Sequence, residues 1–246
     1  MLHLQWKEAR HSTTVVILFS CVYLFIPFLT RAQQREINLY DHDIKPIYFG
    51  ITLAGNMSRF QITHHPRFLQ SDSVYVAEPD NSGGFALGLS ATVPLSGRFE
   101  ARFNPQLMFT SRTINYVLKY PELDGTKISK PVESVIVSFP LQFKFNSDRI
   151  GNFRVYMLGG VKADIDLASN ARARQAEDLV KIAKYDYGIE AGIGFNFYFP
   201  SFIFSPEIKV SNGLNNIHSR DESLKYSNVL DKIQSRMIVF SIHLEG

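Results

Sequence analysis

From about residue 47 onward, apolar and polar side chains alternate with a period of two over runs of ten residues or more. In the clearest run Phe99, Ala101, Phe103, Pro105, Leu107 and Phe109 point one way. Glu100, Arg102, Asn104, Gln106 and Thr110, with Met108 among them, point the other. A β-strand sends successive side chains to opposite faces, so such a run lays one face on an apolar phase and the other on a polar one. Val135, Val137, Phe139, Leu141, Phe143 and Phe145 repeat the pattern against Ser138, Gln142 and Lys144. Tyr185 to Phe199 repeats it against Asp186, Gly188, Glu190, Gly192, Gly194 and Asn196, and Ile238 to Leu244 repeats it near the end. Eight strands are predicted, at about 47–57, 83–94, 99–113, 134–145, 153–164, 185–199, 202–211 and 236–245. Each can cross a bilayer when tilted, which takes about 9–11 residues.

The connections alternate in length. Short turns fall at 95–98, 146–152 and 200–201, and long ones at about 64–82, 114–133, 165–184 and 212–235. Long loops after odd strands and short turns after even strands are the habit of outer-membrane barrels. Phe99, Phe143, Phe145, Phe153, Phe199 and Phe202 crowd the short-turn end, where an interfacial aromatic girdle belongs. The expected fold is therefore all-β, an eight-stranded antiparallel up-and-down transmembrane β-barrel with long extracellular loops. Its place is the outer membrane of a Gram-negative bacterium, and its first partner is the lipid bilayer. A soluble eight-stranded barrel with an apolar interior has the same periodicity, but its polar face meets water and carries charge. Gly84, Ala86, Gly88, Ser90 and Thr92 carry none, which suits a packed interior better.

The first residues read as a secretory leader. Lys7 and Arg10 form a basic start, Val15 to Leu29 an apolar stretch, and Thr30-Arg31-Ala32 a cleavage site. Cleavage between Ala32 and Gln33 divides the chain into a signal peptide, 1–32, and a barrel domain, 33–246. The alternatives are a signal anchor, for which the apolar run is short, and lipidation at Cys21, beyond which that run continues. Cys21 is the sole cysteine, so the mature chain has neither disulfide nor thiol chemistry. Mature basic and acidic side chains nearly balance, and no basic stripe suggests nucleic acid.

An eight-stranded barrel is just wide enough to be filled by side chains. The charges expected inside are Glu100, Arg102, Lys144, Lys162, Asp164, Asp186, Glu190, Glu207 and Lys209. Mutual pairing is their simplest role, since an unpaired buried charge is costly; a proton or ion path is the alternative. No His-Glu-x-x-His or Gly-x-Ser-x-Gly motif occurs, and His64-His65 have no metal-ligand spacing around them. Ser241, His243 and Glu207 compose an imaginable catalytic set, of a kind that any small polar-lined barrel offers. No catalytic residue, metal or cofactor is expected. Two loops carry helical spacing: Ala176, Leu179, Val180 and Ala183, with Ser169 or Asn170 as cap, and Tyr226, Val229, Leu230 and Ile233. Such amphipathic helices lid the barrel or dock a partner.

Specific wording recurs along the strands: Asp43 to Gly50, Gly83 to Gly88, Val132-Glu133-Ser134, Phe139-Pro140-Leu141 and Ser147 to Asn152. The strongest stretches are Ser205 to Leu214, Tyr226-Ser227-Asn228 and Ser235 to Ile238. In these the chain resembles the PorT/SprT family of Bacteroidetes outer-membrane proteins. That resemblance implies a non-catalytic part in type IX secretion, the export of proteins with C-terminal sorting domains, and in gliding motility. It implies other secretion components as partners and carries over no catalytic residues. The generic alternatives are a small lipid-modifying enzyme or a barrel without a secretion role.

Overall fold

Alternation sustained over more than ten residues leaves the backbone one economical solution, pairing of every strand on both sides. The computed structural model describes residues 37–65, 74–122, 125–169, 182–219 and 230–246. Its strand segments are β1 (Tyr48–His64), β2 (Val74–Asp80), β3 (Ser82–Pro94), β4 (Phe99–Phe103), β5 (Gln106–Glu122), β6 (Gly125–Asn146), β7 (Phe153–Asp166), β8 (Tyr185–Tyr198), β9 (Ile203–Gly213) and β10 (Leu230–Glu245). β2 and β3 form one stave broken at Asn81, and β4 and β5 another broken at Asn104-Pro105. Backbone bonds carry on through the second break, Leu89 N–H to Pro105 O and Asn104 N–H to Pro140 O. All pairings are antiparallel, and β1 pairs with both β3 and β10, closing a ring of eight staves. Over the belt, where β1 pairs with β3 up to Ser58 and Ser82, closure leaves no strand edge to face lipid with unpaired amides.

One rim holds the short turns, the start of β1 and the end of β10; the other holds the long hairpins. Aromatic pairs mark the short-turn rim: Phe99 with Phe145 at 5.2 Å, Phe153 with Phe197 at 5.2 Å, and Phe199 with Phe202 at 5.1 Å. Above it the outward side chains are apolar and exposed, for example Leu53, Leu87, Phe143, Ile193 and Phe240. This is the lipid-facing belt.

Toward the hairpin rim the two faces exchange character. On β1 the outward residue changes from Met57 to Arg59, while the inward one changes from Ser58 to Phe60. β5 does the same inwardly from Arg112 to Ile114, and β10 from Ser235 to Ile233. Beyond the belt water lies outside, so the apolar side chains turn in. Phe60, Val74, Ile114, Tyr116, Leu118, Ile182, Ile217, Leu230 and Ile233 form an apolar plug in the outer mouth, with Ile62, Ile128, Val132 and Ala183 packed on it.

This inversion corrects the expected loop lengths. Segment 114–133 is not a loop: β5 runs on to Glu122 and β6 starts at Gly125. Likewise β1 reaches His64 and β10 begins at Leu230, where helix was expected. The helical spacing of Leu230 and Ile233 is a β-bulge. The β1–β10 register shifts between Thr63/Lys232 and His64/Leu230, so both side chains face inward though three residues apart. The Ser169 hydroxyl donates to the Ile182 carbonyl at 2.7 Å. Leu179, Val180, Tyr226, Val229 and the Ala32–Gln33 cleavage site lie outside the described residues.

The short-turn rim has its own closure. A 3-10 turn, Tyr40–Ile44, precedes β1, and its His42 is buried against the Tyr48 ring at 4.2 Å and the Tyr198 ring at 6.2 Å. Asn38 ties this strap to the turn after β6. Its N–H donates to Asn152 Oδ1 at 2.9 Å, its amide to the Tyr198 carbonyl at 2.9 Å, and its own carbonyl accepts from Arg149. The Arg149 guanidinium lies over the Tyr198 ring at 3.7 Å.

Candidate functional site in the barrel interior

Inside a ring of eight staves, inward side chains from opposite walls touch, and the register of each strand decides which meet. Glu100, Arg102, Lys144, Lys162, Asp164, Asp186, Glu190, Glu207 and Lys209 all lie inside and are buried. The structure adds Arg112, Arg154, Asp166 and Glu245, so among the described residues six buried cations face seven buried carboxylates. Near-neutrality of this kind is what a low-dielectric interior requires.

Most of these groups belong to one connected network. Tyr48 donates its hydroxyl to Glu100 at 2.9 Å, and Glu100 takes the Lys144 ammonium at 3.0 Å, directly opposite it in the β4–β6 register. Lys144 also sits over the Tyr156 ring, 4.4 Å from its centroid. Tyr156 in turn donates to Glu207 at 2.8 Å. Glu207 is paired with Arg102, a bond from the third stave to the seventh, diametrically across the lumen. Arg102 Nε donates to Gln142 Oε1 at 2.6 Å, Gln142 donates to Glu190, and Glu190 faces Lys209 at 3.4 Å. Glu207 and Lys209 share a face of β9 yet take different partners. Higher up, Asp164 accepts from Ser138 at 2.6 Å and Lys162 at 2.5 Å.

Small residues make room for this packing. Tyr156 stands opposite Gly194 in the β7–β8 register, its ring in the space a Gly194 side chain would fill. Between the network and the apolar plug lies a void of about 20 Å³, lined by Arg112, Asp164, Asp186 and Ser235 among others. That is room for about one water molecule. Among the described residues the interior is thus filled by the apolar plug at the hairpin rim, by charged side chains in the belt and by the His42 strap at the short-turn rim.

A model of the outer membrane protein beta-barrel domain matches residues 31–219. The chain belongs to this family. No curated protein matches the sequence. Among solved structures it is similar to OprG of Pseudomonas aeruginosa, with 15% identity, TM-score 0.40, and 80% of this chain and 94% of that one covered. It is also similar to Ail of Yersinia pestis, with 11% identity, TM-score 0.39, and coverage of 82% and 100%. Neisserial surface protein A gives 10% identity, TM-score 0.36, and coverage of 79% and 95%. The family match and the closed hydrogen-bonded ring, rather than these distant likenesses, carry the assignment. The protein is an outer-membrane β-barrel with the bilayer around it.

Ser241 and His243 share the inner face of β10 and are buried. His243 Nδ1 is 2.9 Å from the Thr52 hydroxyl, and Nε2 is 3.5 Å from Glu207 Oε2. Glu207 is already held by Arg102 and Tyr156, and the Ser241 hydroxyl makes no hydrogen bond to His243, so the three do not form a relay. His64 is a strand-end residue whose Nε2 lies 2.9 Å from the Ala77 carbonyl oxygen. The strap around His42 and the inward use of Tyr48 and Tyr156 escape a strand-pattern reading, because aromatic residues in such runs are otherwise assigned to the lipid face.

Proposed function

We propose that this barrel is a non-catalytic outer-membrane component of type IX secretion, needed for export of proteins with C-terminal sorting domains and for gliding motility. The observation that favours a supporting role over transport or catalysis is the filled interior. With charge paired across the lumen by Arg102 and Glu207, and apolar side chains filling the outer mouth, cargo has no route through it. What remains available to partners is the hairpin crown beyond the belt, whose outward face is polar. The secretion assignment itself rests on the PorT/SprT-like wording of Ser205 to Leu214 and Ser235 to Ile238. The crown, with the segments bearing Leu179, Val180, Tyr226 and Val229, is the surface proposed to meet other secretion components. A cleaved leader ending at Ala32 delivers the chain to the export pathway, and intact-mass measurement of the membrane protein is expected to give Gln33 as the first residue.

The test is a deletion strain. Cargo bearing C-terminal sorting domains is expected to accumulate inside the cell envelope while lipid A chemistry stays unchanged. Ser241→Ala and His243→Ala variants are expected to restore export. Normal export together with altered lipid acylation contradicts the proposal and favours a lipid-modifying enzyme.

A further inference from the structure

The outer wall carries an unexplained pair of charges. Arg59 on β1 and Arg236 on β10 stand directly opposite each other in the register, both exposed and both on the lipid-facing side. Like charges facing across two strands are destabilising, so this arrangement calls for an anion between them. Arg236 donates Nε to Asn212 Oδ1 at 3.0 Å, which fixes the guanidinium without neutralising it. No carboxylate among the described residues pairs with Arg59, and Asp80, near by on β2, is turned to the Asn115 amide at 3.4 Å. The two arginines line a groove of about 440 Å³ together with Met57, Gln61, Asn81 and Ile238.

Their height on the wall is informative. The outward residue two positions below each is apolar, Met57 on β1 and Ile238 on β10. The arginines therefore sit where the belt meets water, at the hairpin rim. Farther down the same β1–β10 seam is a second, apolar groove of about 610 Å³. Gly55 and Pro206 are its small outward residues, and Phe85, Phe195 and Phe240 its bulky ones. A side chain at Gly55 would meet open space. Gly55 lies four residues below Arg59, roughly 13 Å along the strand, well within reach of a lipid whose headgroup rests on the arginines.

We propose that the β1–β10 seam is a binding site for one phosphorylated lipid of the outer leaflet, its phosphate clamped between Arg59 and Arg236 and an acyl chain laid in the groove over Gly55. Guanidinium forks donate bidentately to phosphate oxygens, and Arg236, whose Nε alone is held by Asn212 on the β9 side, lines the groove with Arg59. The apolar groove below gives the chain a seat that a smooth wall does not.

Native mass spectrometry of the detergent-purified full barrel tests this with monophosphoryl lipid A, its dephosphorylated form and inorganic phosphate. The wild type is expected to retain the phosphorylated lipid, and to bind the dephosphorylated form about tenfold or more weakly, the loss expected for charge-assisted hydrogen bonds. Inorganic phosphate is expected to give no retained adduct. The double variant Arg59→Gln/Arg236→Gln is expected to lose the preference for phosphate, and Gly55→Leu, which fills the groove, to weaken the lipid while leaving the barrel heat-modifiable on gels. Equal retention of both lipid forms by the wild type, or undiminished binding by the double variant, overturns the proposal. So does retention of inorganic phosphate as tight as that of the lipid.

Discussion

Glu207 shows what one inward residue costs and gives. It is buried, and it is held by Arg102, by the Tyr156 hydroxyl at 2.8 Å and by His243 at 3.5 Å. Glu207→Leu strands Arg102 in the lumen and is expected to lower stability by about 3–5 kcal/mol. The double variant Arg102→Leu/Glu207→Leu is expected to recover much of that loss. Urea unfolding in detergent measures both; an unchanged midpoint for Glu207→Leu in a chain that no longer supports secretion would mark a functional site instead. Gly194 makes a second test. Gly194→Val pushes Tyr156 off its bond with Glu207 and is expected to cost about 1–3 kcal/mol by overpacking, whereas Gly55→Ala, with open space around it, is expected to be silent in the same measurement.

At the scale of elements, the belt portion of every strand was legible from period-two alternation alone, as were the short turns at Leu95 to Arg98 and at Pro200-Ser201. Alternation also separates the inward charges from the lipid face, but it is silent on partners. That Arg102 meets Glu207 and Lys209 meets Glu190 follows from shear and register across the ring. The upper halves of β1, β5, β6 and β10 were misjudged for two physical reasons. Beyond the belt the apolar face changes from outward to inward, so a stripe traced along one face ends early. The bulge in β10 then shifts the phase by one residue and makes Leu230 and Ile233 imitate a helix. The plug these residues join is expected to hold the hairpins together. Ile233→Ala is expected to cost about 2–5 kcal/mol. Limited proteolysis is expected to clip the hairpin crown of that variant while the belt strands stay protected; cleavage within the belt instead would mean that the plug and the belt unfold as one unit.

Among the described residues, eight staves close into a ring whose lumen is filled by side chains. Its outside is matched to lipid over the belt and to water above it, and its inside is mainly charged and polar over the belt, around a small apolar cluster of Met108, Met237 and Val239, and apolar above it. An interior filled in this way is expected to carry no steady ion current. The contrast with a wide porin is direct, because a porin leaves an aqueous channel where this chain places paired charges. The measurement that bears on this most directly is single-channel recording of the purified full barrel in a planar bilayer, with heat-modifiable gel mobility confirming that it is folded. No steady conductance is expected at any voltage the bilayer withstands. Stable porin-sized current steps from the folded protein would contradict the sealed interior.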